Sequence, residues 1–265
     1  MSDYQLRFGG INRLYGNNGS QILQDSHFCV IGIGGVGSWA AEALARNGVG
    51  EITLIDLDDI CITNVNRQIH ALTHTVGLSK VEVMNDRIKA INPDCKVHLV
   101  EDFVTPDNLF DLLLSTFDYV IDAIDSVNVK TKLIAHCKRN KLPIITIGGA
   151  GGQIDPTQIQ ICDLSQTYQD PLLAKVRNQL RREHSFSRNV KRKFSIDAVF
   201  STEQLVYPDN EGNVCHQKPE ANGAMKLDCS GGFGSTTHVT ATFAFFAVSR
   251  AIQKLIRKKS TKEQS

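Results

Sequence analysis

Short apolar runs alternate with amphipathic stretches along most of this chain. Residues 28–31, Phe-Cys-Val-Ile within the segment 27–33, have the length and composition of a buried strand. Trp39, Ala40, Ala43 and Leu44 then recur on one helical face over residues 36–47, and Gly48 supplies a stop. A second apolar run follows at 51–55. The alternation continues, predicting helices over 77–91, 106–114 and 127–140 and strands over 96–101, 117–121 and 143–147. Strands separated by helices of this length imply an α/β fold, a doubly wound and mostly parallel sheet, over residues 25–150. Residues 1–24 read as an N-terminal helical arm. Residues 151–265 read as a more irregular C-terminal substrate half: a short strand at 158–162, a basic helical stretch, a strand at 196–201, a Gly- and Asn-rich loop at 208–234, and a final helix at 236–257. The whole, 1–265, is expected to form a single domain.

The turn after the first strand is the first candidate for chemistry. Gly32, Gly34, Gly35 and Gly37 lie between strand and helix, where small residues let the backbone approach a phosphate and the next helix points its free amides at it. Asp56 ends the second strand 24 residues after Gly32, about where the acid of a Rossmann-like nucleotide fold meets a ribose. The bland alternative is a tight helix–sheet packing turn with no ligand. The next segment separates nucleotides. Asp56, Asp58 and Asp59 crowd the strand end, followed by Asn64, Asn66, Arg67, Gln68 and then Lys80. An Arg and a Lys neutralise a triphosphate, and Asn side chains can hold ribose or phosphates. Each of these residues alone reads as a solvated loop position; their joint placement beside a phosphate turn favours ATP over a dinucleotide. Asp122 and Asp125 fall at the end of a further strand, where ligands of open parallel sheets bind, and a carboxylate facing a triphosphate suits Mg2+. Asp125 or Ser126 could instead cap the following helix.

Composition narrows the class. Apolar content of 42% and charged content of 22% are those of a soluble globular protein. The net charge of +1 hides an asymmetry. Lys175, Arg177, Arg181, Arg182, Arg188, Lys191, Arg192 and Lys193 are offset in that stretch by Glu183 alone. Such a run reads either as a solvated helix face or as contacts to an acidic macromolecule. Phe186 and Phe194 are its only aromatic residues, so base stacking is not indicated. A further basic group, Arg250, Lys254, Arg257, Lys258, Lys259 and Lys262, follows an apolar run at 239–248. That run is too short to cross a bilayer and reads as a helix buried against the sheet, which leaves peripheral membrane association through the basic tail open. The seven cysteines, at 29, 61, 95, 137, 162, 215 and 229, form no Cys-x-x-Cys pair and no evident disulfide framework. No structural zinc is expected, and a reducing cytoplasm is.

The Gly-x-Gly-Gly-Val-Gly turn, the Asp-x-Asp strand end, the Asn-x-Asn-Arg-Gln segment, Lys80 and the Asp-x-x-Asp at 122–125 resemble the adenylating core of the ubiquitin-activating superfamily. Four further stretches resemble one branch of it, the tRNA threonylcarbamoyladenosine dehydratases. They are Arg7–Gly10 with Arg13–Gly16, Gly148–Gly152 with Asp155–Thr157, Val199–Ser201 with Glu203, and Cys229–Ser235. The resemblance implies ATP-driven loss of water from a modified adenosine next to the tRNA anticodon. The threonyl carboxylate attacks the α-phosphorus of ATP, pyrophosphate leaves, and an internal nucleophile displaces AMP as the ring closes. It also implies roles: the four glycines shape the phosphate turn, Asp56 holds the ribose, Asn66, Arg67 and Lys80 bind phosphates with support from Gln68, and Asp125 holds Mg2+. Arg13 matches an arginine that reaches into a partner subunit's site, which implies a homodimer. The basic stretch then favours tRNA phosphates. Cys229 is a weaker catalytic candidate, since ring closure needs no sulfur, although the family context suggests a cysteine desulfurase or sulfur-acceptor system as a partner. The rival reading is adenylation of the C-terminus of a sulfur-carrier or ubiquitin-like protein, weakened by the missing cysteine pairs. A nucleotide-sensing or tRNA-binding module without catalysis, and an NAD dehydrogenase, stand further off.

Overall fold

The computed structural model describes residues 2–105, 108–113, 116–209, 211–216 and 233–263. Its centre is a seven-stranded sheet built from β1 (His27–Ile31), β2 (Glu51–Ile55), β3 (Lys96–Val100), β4 (Tyr119–Asp122), β5 (Ile144–Ile147), β6 (Ile159–Asp163) and β7 (Asp197–Ser201), in the order β3-β2-β1-β4-β5-β7-β6. Every pair is parallel except β6–β7, which is antiparallel. The expected strands therefore form, most of them within a residue of their predicted ends. The sheet also runs through residue 150, because β7 pairs with β5 and draws the C-terminal half onto the same sheet. A two-stranded ladder, β8 (Tyr207–Pro208) with β9 (Val214–Cys215), stands apart from it.

Strands buried on both faces need helices on both sides. One face carries α1 (Asp3–Gln24), α2 (Gly37–Arg46), α3 (Lys80–Ile91) and α7 (Thr237–Glu263), which close over Phe28, Val30, Ile52, Leu54, Ile121 and Ile145. The other carries α4 (Leu109–Leu112), α5 (Val127–Arg139) and α6 (Pro171–Glu183), which close over Cys29, Ile31, Val120, Ile144 and Phe200. Alternate residues of β1 thus feed opposite cores, as the period of a strand requires.

Several boundaries depart from the sequence expectation, each for a local reason. α3 starts at Lys80 rather than 77, because Gly77 takes φ +87° and Ser79 forms an isolated bridge with Asp59. The helix expected over 106–114 is described only at 109–112. The basic stretch is helical only to Glu183; Ser185 then turns left-handed at φ +60° and residues 188–193 leave the helix. α7 runs to Glu263, past the expected 257, with Lys254 on Asp197 (2.6 Å) and Lys259 on Asp118 (2.8 Å) anchoring its basic end to strand starts. By length and composition α7 could cross a membrane, but 56% of its apolar window is buried inside the protein, and its Val239, Phe243, Ala244, Ala247 and Ile252 belong to the core. The arm is one long helix with non-helical backbone at Phe8 and Gly16. Tyr4 ties it to the core through a 2.6 Å bond to the Gly48 carbonyl, where the positive φ of +75° rules out a larger residue.

Candidate functional site

The strand order reverses between β1 and β4, so the chain leaves these two strands in opposite directions and opens a cleft at their carboxyl ends. The glycine turn fills the lip of that cleft. Gly32 takes φ +85°, and a Cβ there would lie 3.0 Å from the Ala123 carbonyl oxygen at the end of β4. Gly37 opens α2 pressed directly on Gly32. The N-cap of α2 is Val36, whose side chain caps nothing; the Ser38 amide turns back onto the Gly34 carbonyl at 3.1 Å, and the Gly37 and Trp39 amides on either side of it are left for a ligand in the cleft.

Asp56 braces this turn rather than standing clear of it. Its Oδ2 accepts the Ile33 amide at 2.6 Å and its Oδ1 accepts the Asp58 amide at 2.9 Å. Burial pushes its carboxyl up, with Lys80 and the two amides pulling the other way. Lys80, the buried first residue of α3, donates to Asp58 Oδ2 at 2.7 Å and lies 3.8 Å from Asp56 Oδ1. A phosphate entering the cleft therefore competes with Asp58 for this ammonium. Gln68 is buried with its Nε2 facing Gly34, 3.9 Å from where a Cβ would sit, and the Arg67 stem packs on Gly35. The Arg67 guanidinium donates to the Thr63 carbonyl (2.8 Å) and to Asn66 Oδ1 (3.0 Å), which holds it extended along the loop. Asn66 in turn donates to the Ser235 carbonyl at 2.8 Å, and its own carbonyl accepts the Thr237 hydroxyl. The four glycines, Asp56, Asp58, Asn66, Arg67, Gln68 and Lys80 are thus brought together around one turn.

Two candidates sit elsewhere. Asn64 is buried and spends its Oδ1 on the Cys61 amide (2.9 Å), fixing the 3-10 turn that positions Arg67. Asp122 is fully buried beneath the cleft, where Lys130 (2.7 Å) and Thr146 (2.6 Å) both donate to its Oδ2. Its Oδ1 takes the Ile124 amide at 3.2 Å, so with both oxygens committed it braces the end of β4 and offers a ligand no open face. Asp125, two residues after the strand end that abuts Gly32, is exposed and makes no ion pair among the described residues, so it fits a cation beside the turn. Ser126 occupies the N-cap of α5 without a side-chain cap bond. Arg13 is exposed on α1. Cys229 lies outside the described residues.

The basic stretch divides. Arg177 is half-buried against Thr167, with burial and the neighbouring Arg181 holding its guanidinium below the usual range. Arg181 stacks on the Phe194 ring at 5.4 Å, and Arg182 pairs with Glu183 at 2.6 Å. Lys175, Arg188, Lys191, Arg192 and Lys193 are exposed and form no ion pair among the described residues.

Several residues carry no sequence signal. His70 is buried and donates Nε2–H to the Ile33 carbonyl at 2.9 Å, so that Ile33, between the first two glycines, is held at its carbonyl by His70 and at its amide by Asp56; burial lowers the His70 pKa to about 4 and keeps it neutral. Trp39 donates to the Arg67 carbonyl at 3.0 Å. Only in the structure do the branch-specific stretches explain one another. Glu203 accepts the Ile154 and Asp155 amides at 2.9–3.0 Å, the Gly152 amide bonds the Gly234 carbonyl at 2.8 Å, and Phe233 packs on Gly151 and Gly152. They build one wall at the carboxyl ends of β5 and β7.

Comparison with known proteins agrees with this geometry. The model of the ThiF family matches residues 10–265. The tRNA threonylcarbamoyladenosine dehydratase of Escherichia coli (strain K12) is 58% identical over 255 residues, covering 96% of this chain and 95% of that protein. Its counterpart from Haemophilus influenzae is 58% identical over 261 residues, covering 98% and 97%. The crystal structure of the E. coli dehydratase in complex with ATP superposes with a TM-score of 0.87 at 55% identity over 98% of both chains. The chain belongs to the ThiF family and, within it, is a relative of the tRNA threonylcarbamoyladenosine dehydratases.

Proposed function

We propose that this protein removes water from threonylcarbamoyladenosine in tRNA at the expense of ATP, giving the cyclic nucleoside. The observation that carries the reading is the phosphate turn at the β1/β4 switch point with Arg67 and Lys80 beside it. That arrangement would neutralise a triphosphate, and the wall built by residues 148–157, 203 and 233–234 would take the second substrate beside it. A carboxylate is a poor electrophile because its leaving group would be oxide. Attack of the threonyl carboxylate oxygen on the α-phosphorus breaks the α–β anhydride and expels pyrophosphate. An internal nucleophile then attacks the activated carbonyl, AMP departs, and one proton is released. Most of the catalysis in the first step is positioning and charge neutralisation.

Roles follow from placement. The glycine turn and the free amides of α2 cradle phosphates, Arg67 and Lys80 supply charge, and Gln68 and Asn66 orient the loop that carries them. Asp56 keeps the Ile33 amide and the turn in shape and would hold the ribose. Asp125 would hold Mg2+, which supplies further neutralisation of the leaving pyrophosphate. The exposed cations of 175–193 would contact tRNA phosphates. A second copy of the chain would cover the exposed Leu57, Ile62, Val65, Leu72, Val76 and Leu78 of the segment between β2 and α3, and bring Arg13 to the partner's triphosphate. The proposed setting is the cytoplasm, where ATP and tRNA are found.

The test is mass spectrometry of nucleosides from tRNA carrying threonylcarbamoyladenosine after incubation with the protein, ATP and Mg2+. Loss of the mass of one water, absent with Asp125→Ala, is the expected result. An unchanged nucleoside, with ATP–pyrophosphate exchange appearing only when a small carrier protein is added, would move the protein to the sulfur-carrier branch.

A further inference from the structure

The opposite, amino-terminal edge of the sheet carries a grouping that the adenylation chemistry does not use. His27 opens β1, Glu51 opens β2 and pairs with it in register, and His98 sits on β3 opposite Thr53. Their ligand atoms all lie within 4.8 Å of one another. His98 Nε2 is 2.7 Å and His27 Nδ1 3.6 Å from Glu51 Oε1. The edge lies a strand's length, roughly 15 Å, from the glycine turn.

Two features make this more than a surface coincidence. His27 Nε2 is hydrogen-bonded to the buried Thr53 hydroxyl at 2.8 Å, an outer contact that fixes the ring and, with Nε2–H donating, keeps the Nδ1 lone pair toward Glu51. The Phe117 ring packs edge-on against the His27 imidazole at 4.8 Å and shields it from water. The neighbouring Asp118 is already occupied: its Oδ2 takes the His27 amide and its Oδ1 takes Lys259. That leaves His27, Glu51 and His98 as the three groups open to a ligand role.

We propose that His27, Glu51 and His98 bind a divalent cation of the Zn2+ class and clip the edge strand β3 to β1 and β2. Two imidazoles and a carboxylate suit such a borderline cation. Bond lengths near 2.0–2.1 Å place tetrahedral ligand atoms about 3.3 Å apart, so the widest pair must close by rotation of His98, which is half exposed and free to move. β3 needs such a clip: it is the terminal strand, and most of its side chains face solvent. The expectation of no structural zinc rests on absent cysteine pairs and does not reach a site of nitrogen and carboxylate ligands.

The experiment titrates the full chain with Zn2+ against a chromophoric chelator and records the ligand-field spectrum with Co2+. One equivalent should bind. Thr53→Val should weaken it about 10- to 100-fold through the lost outer contact, and His98→Asn or Glu51→Gln should abolish it, with water loss from the tRNA nucleoside unchanged in His98→Asn. His98 is exposed, so that variant reports on binding without threatening the fold. No retention of Zn2+ against the chelator would overturn the proposal. So would an unchanged stoichiometry in His98→Asn, or cobalt spectra showing thiolate charge transfer, which would place the metal on cysteine.

Discussion

Replacing Gly37 by alanine tests whether the phosphate turn is as tightly built as its contacts imply. A Cβ at this position would lie 1.8 Å from the Gly32 carbonyl oxygen and 2.9 Å from its carbon. Real Cβ contacts do not fall below 3.0 Å, so a gap of at least 1.2 Å, the difference between the two oxygen distances, must open. Neither side yields cheaply. Gly32 is held by its amide bond to the Ile55 carbonyl (2.9 Å) and by the Ala123 carbonyl behind it, while α2 is clamped between α3 and α7. Overpacking of this kind costs about 1–3 kcal/mol, and a backbone-on-backbone clash with no rotamer to relieve it belongs at the upper end. For a domain of this size about 3 kcal/mol is roughly a 6–12 °C fall in Tm. Because the amides of α2 move away from the phosphates, turnover should also fall about 100-fold. Gly34→Ala is the control at the same turn. Its nearest neighbour, Gln68 Nε2, is 3.9 Å away, so its Tm should stay within about 1–2 °C of wild type even if ATP binding weakens. Thermal melts and nucleoside mass spectrometry on the two variants decide the matter. A Gly37→Ala protein that melts like wild type, or equal Tm losses in both variants, would refute the argument.

The same reasoning extends to four other sites. His70 has a folded pKa of about 4 against 6.5 for an ordinary histidine. Its protonation is therefore resisted by the folded state, the cost is absent above pH 6.5, and it grows to about 3 kcal/mol as pH falls to 4. Denaturant melts of His70→Gln across that window should lose about this much of the wild-type decline, and an unchanged slope would contradict the assignment. Lys130→Met leaves the Asp122 carboxylate buried and unpaired, which should cost about 3–5 kcal/mol; a loss under about 1 kcal/mol in the same assay would show that the pair does not brace β4. Replacing Lys191, Arg192 and Lys193 together with alanine should reduce the slope of log affinity for tRNA against log salt by about 2–3, read by filter binding, and an unaltered slope would leave this run as a solvated surface. Mixing Arg13→Ala with Lys80→Ala after subunit exchange should restore up to about one quarter of wild-type water loss if each site takes Arg13 from the partner; no recovery would mean that the site is not shared.

Much of the nucleotide half was legible in the sequence because its signals are local. β2 falls on the predicted residues, and β1, β4 and β5 begin or end within two residues of theirs, since an apolar run flanked by glycine or aspartate leaves little choice. The glycine turn was legible for the same reason. What the sequence does not carry is commitment. Asp122 and Asn64 have the right type and the right neighbourhood, but Lys130, Thr146 and Cys61 claim their polar atoms from eight, twenty-four and three residues away. His70 gives no signal, because its role depends on a carbonyl 37 residues earlier. The direction of β6 depends on β7, its partner across a long connection, which is why a run of five residues alone could not show that it is antiparallel.

The helix whose apolar run mimics a membrane span shows why burial, and not composition, decides such cases. α7 spends its apolar stripe on α2 and the sheet, and its first turn does separate work. Thr237 and Thr240 reach the backbone of Asn66 and Arg67, while His238 bonds the Ile154 carbonyl at 3.0 Å. Ile154 also presents its amide to Glu203, beside the wall formed by Gly151, Gly152 and Phe233. The loop carrying Asn66 and Arg67 and that wall are therefore joined through the first turn of one helix. A chain that must bring the α-phosphorus of one substrate against the carboxylate of another needs those two surfaces held at a fixed separation, because about 1 Å of misplacement costs roughly 100-fold in rate. A long helix seated in the core fixes that separation in a way that a loop could not, which accounts for a strongly apolar helix that opens on three polar residues against the cleft.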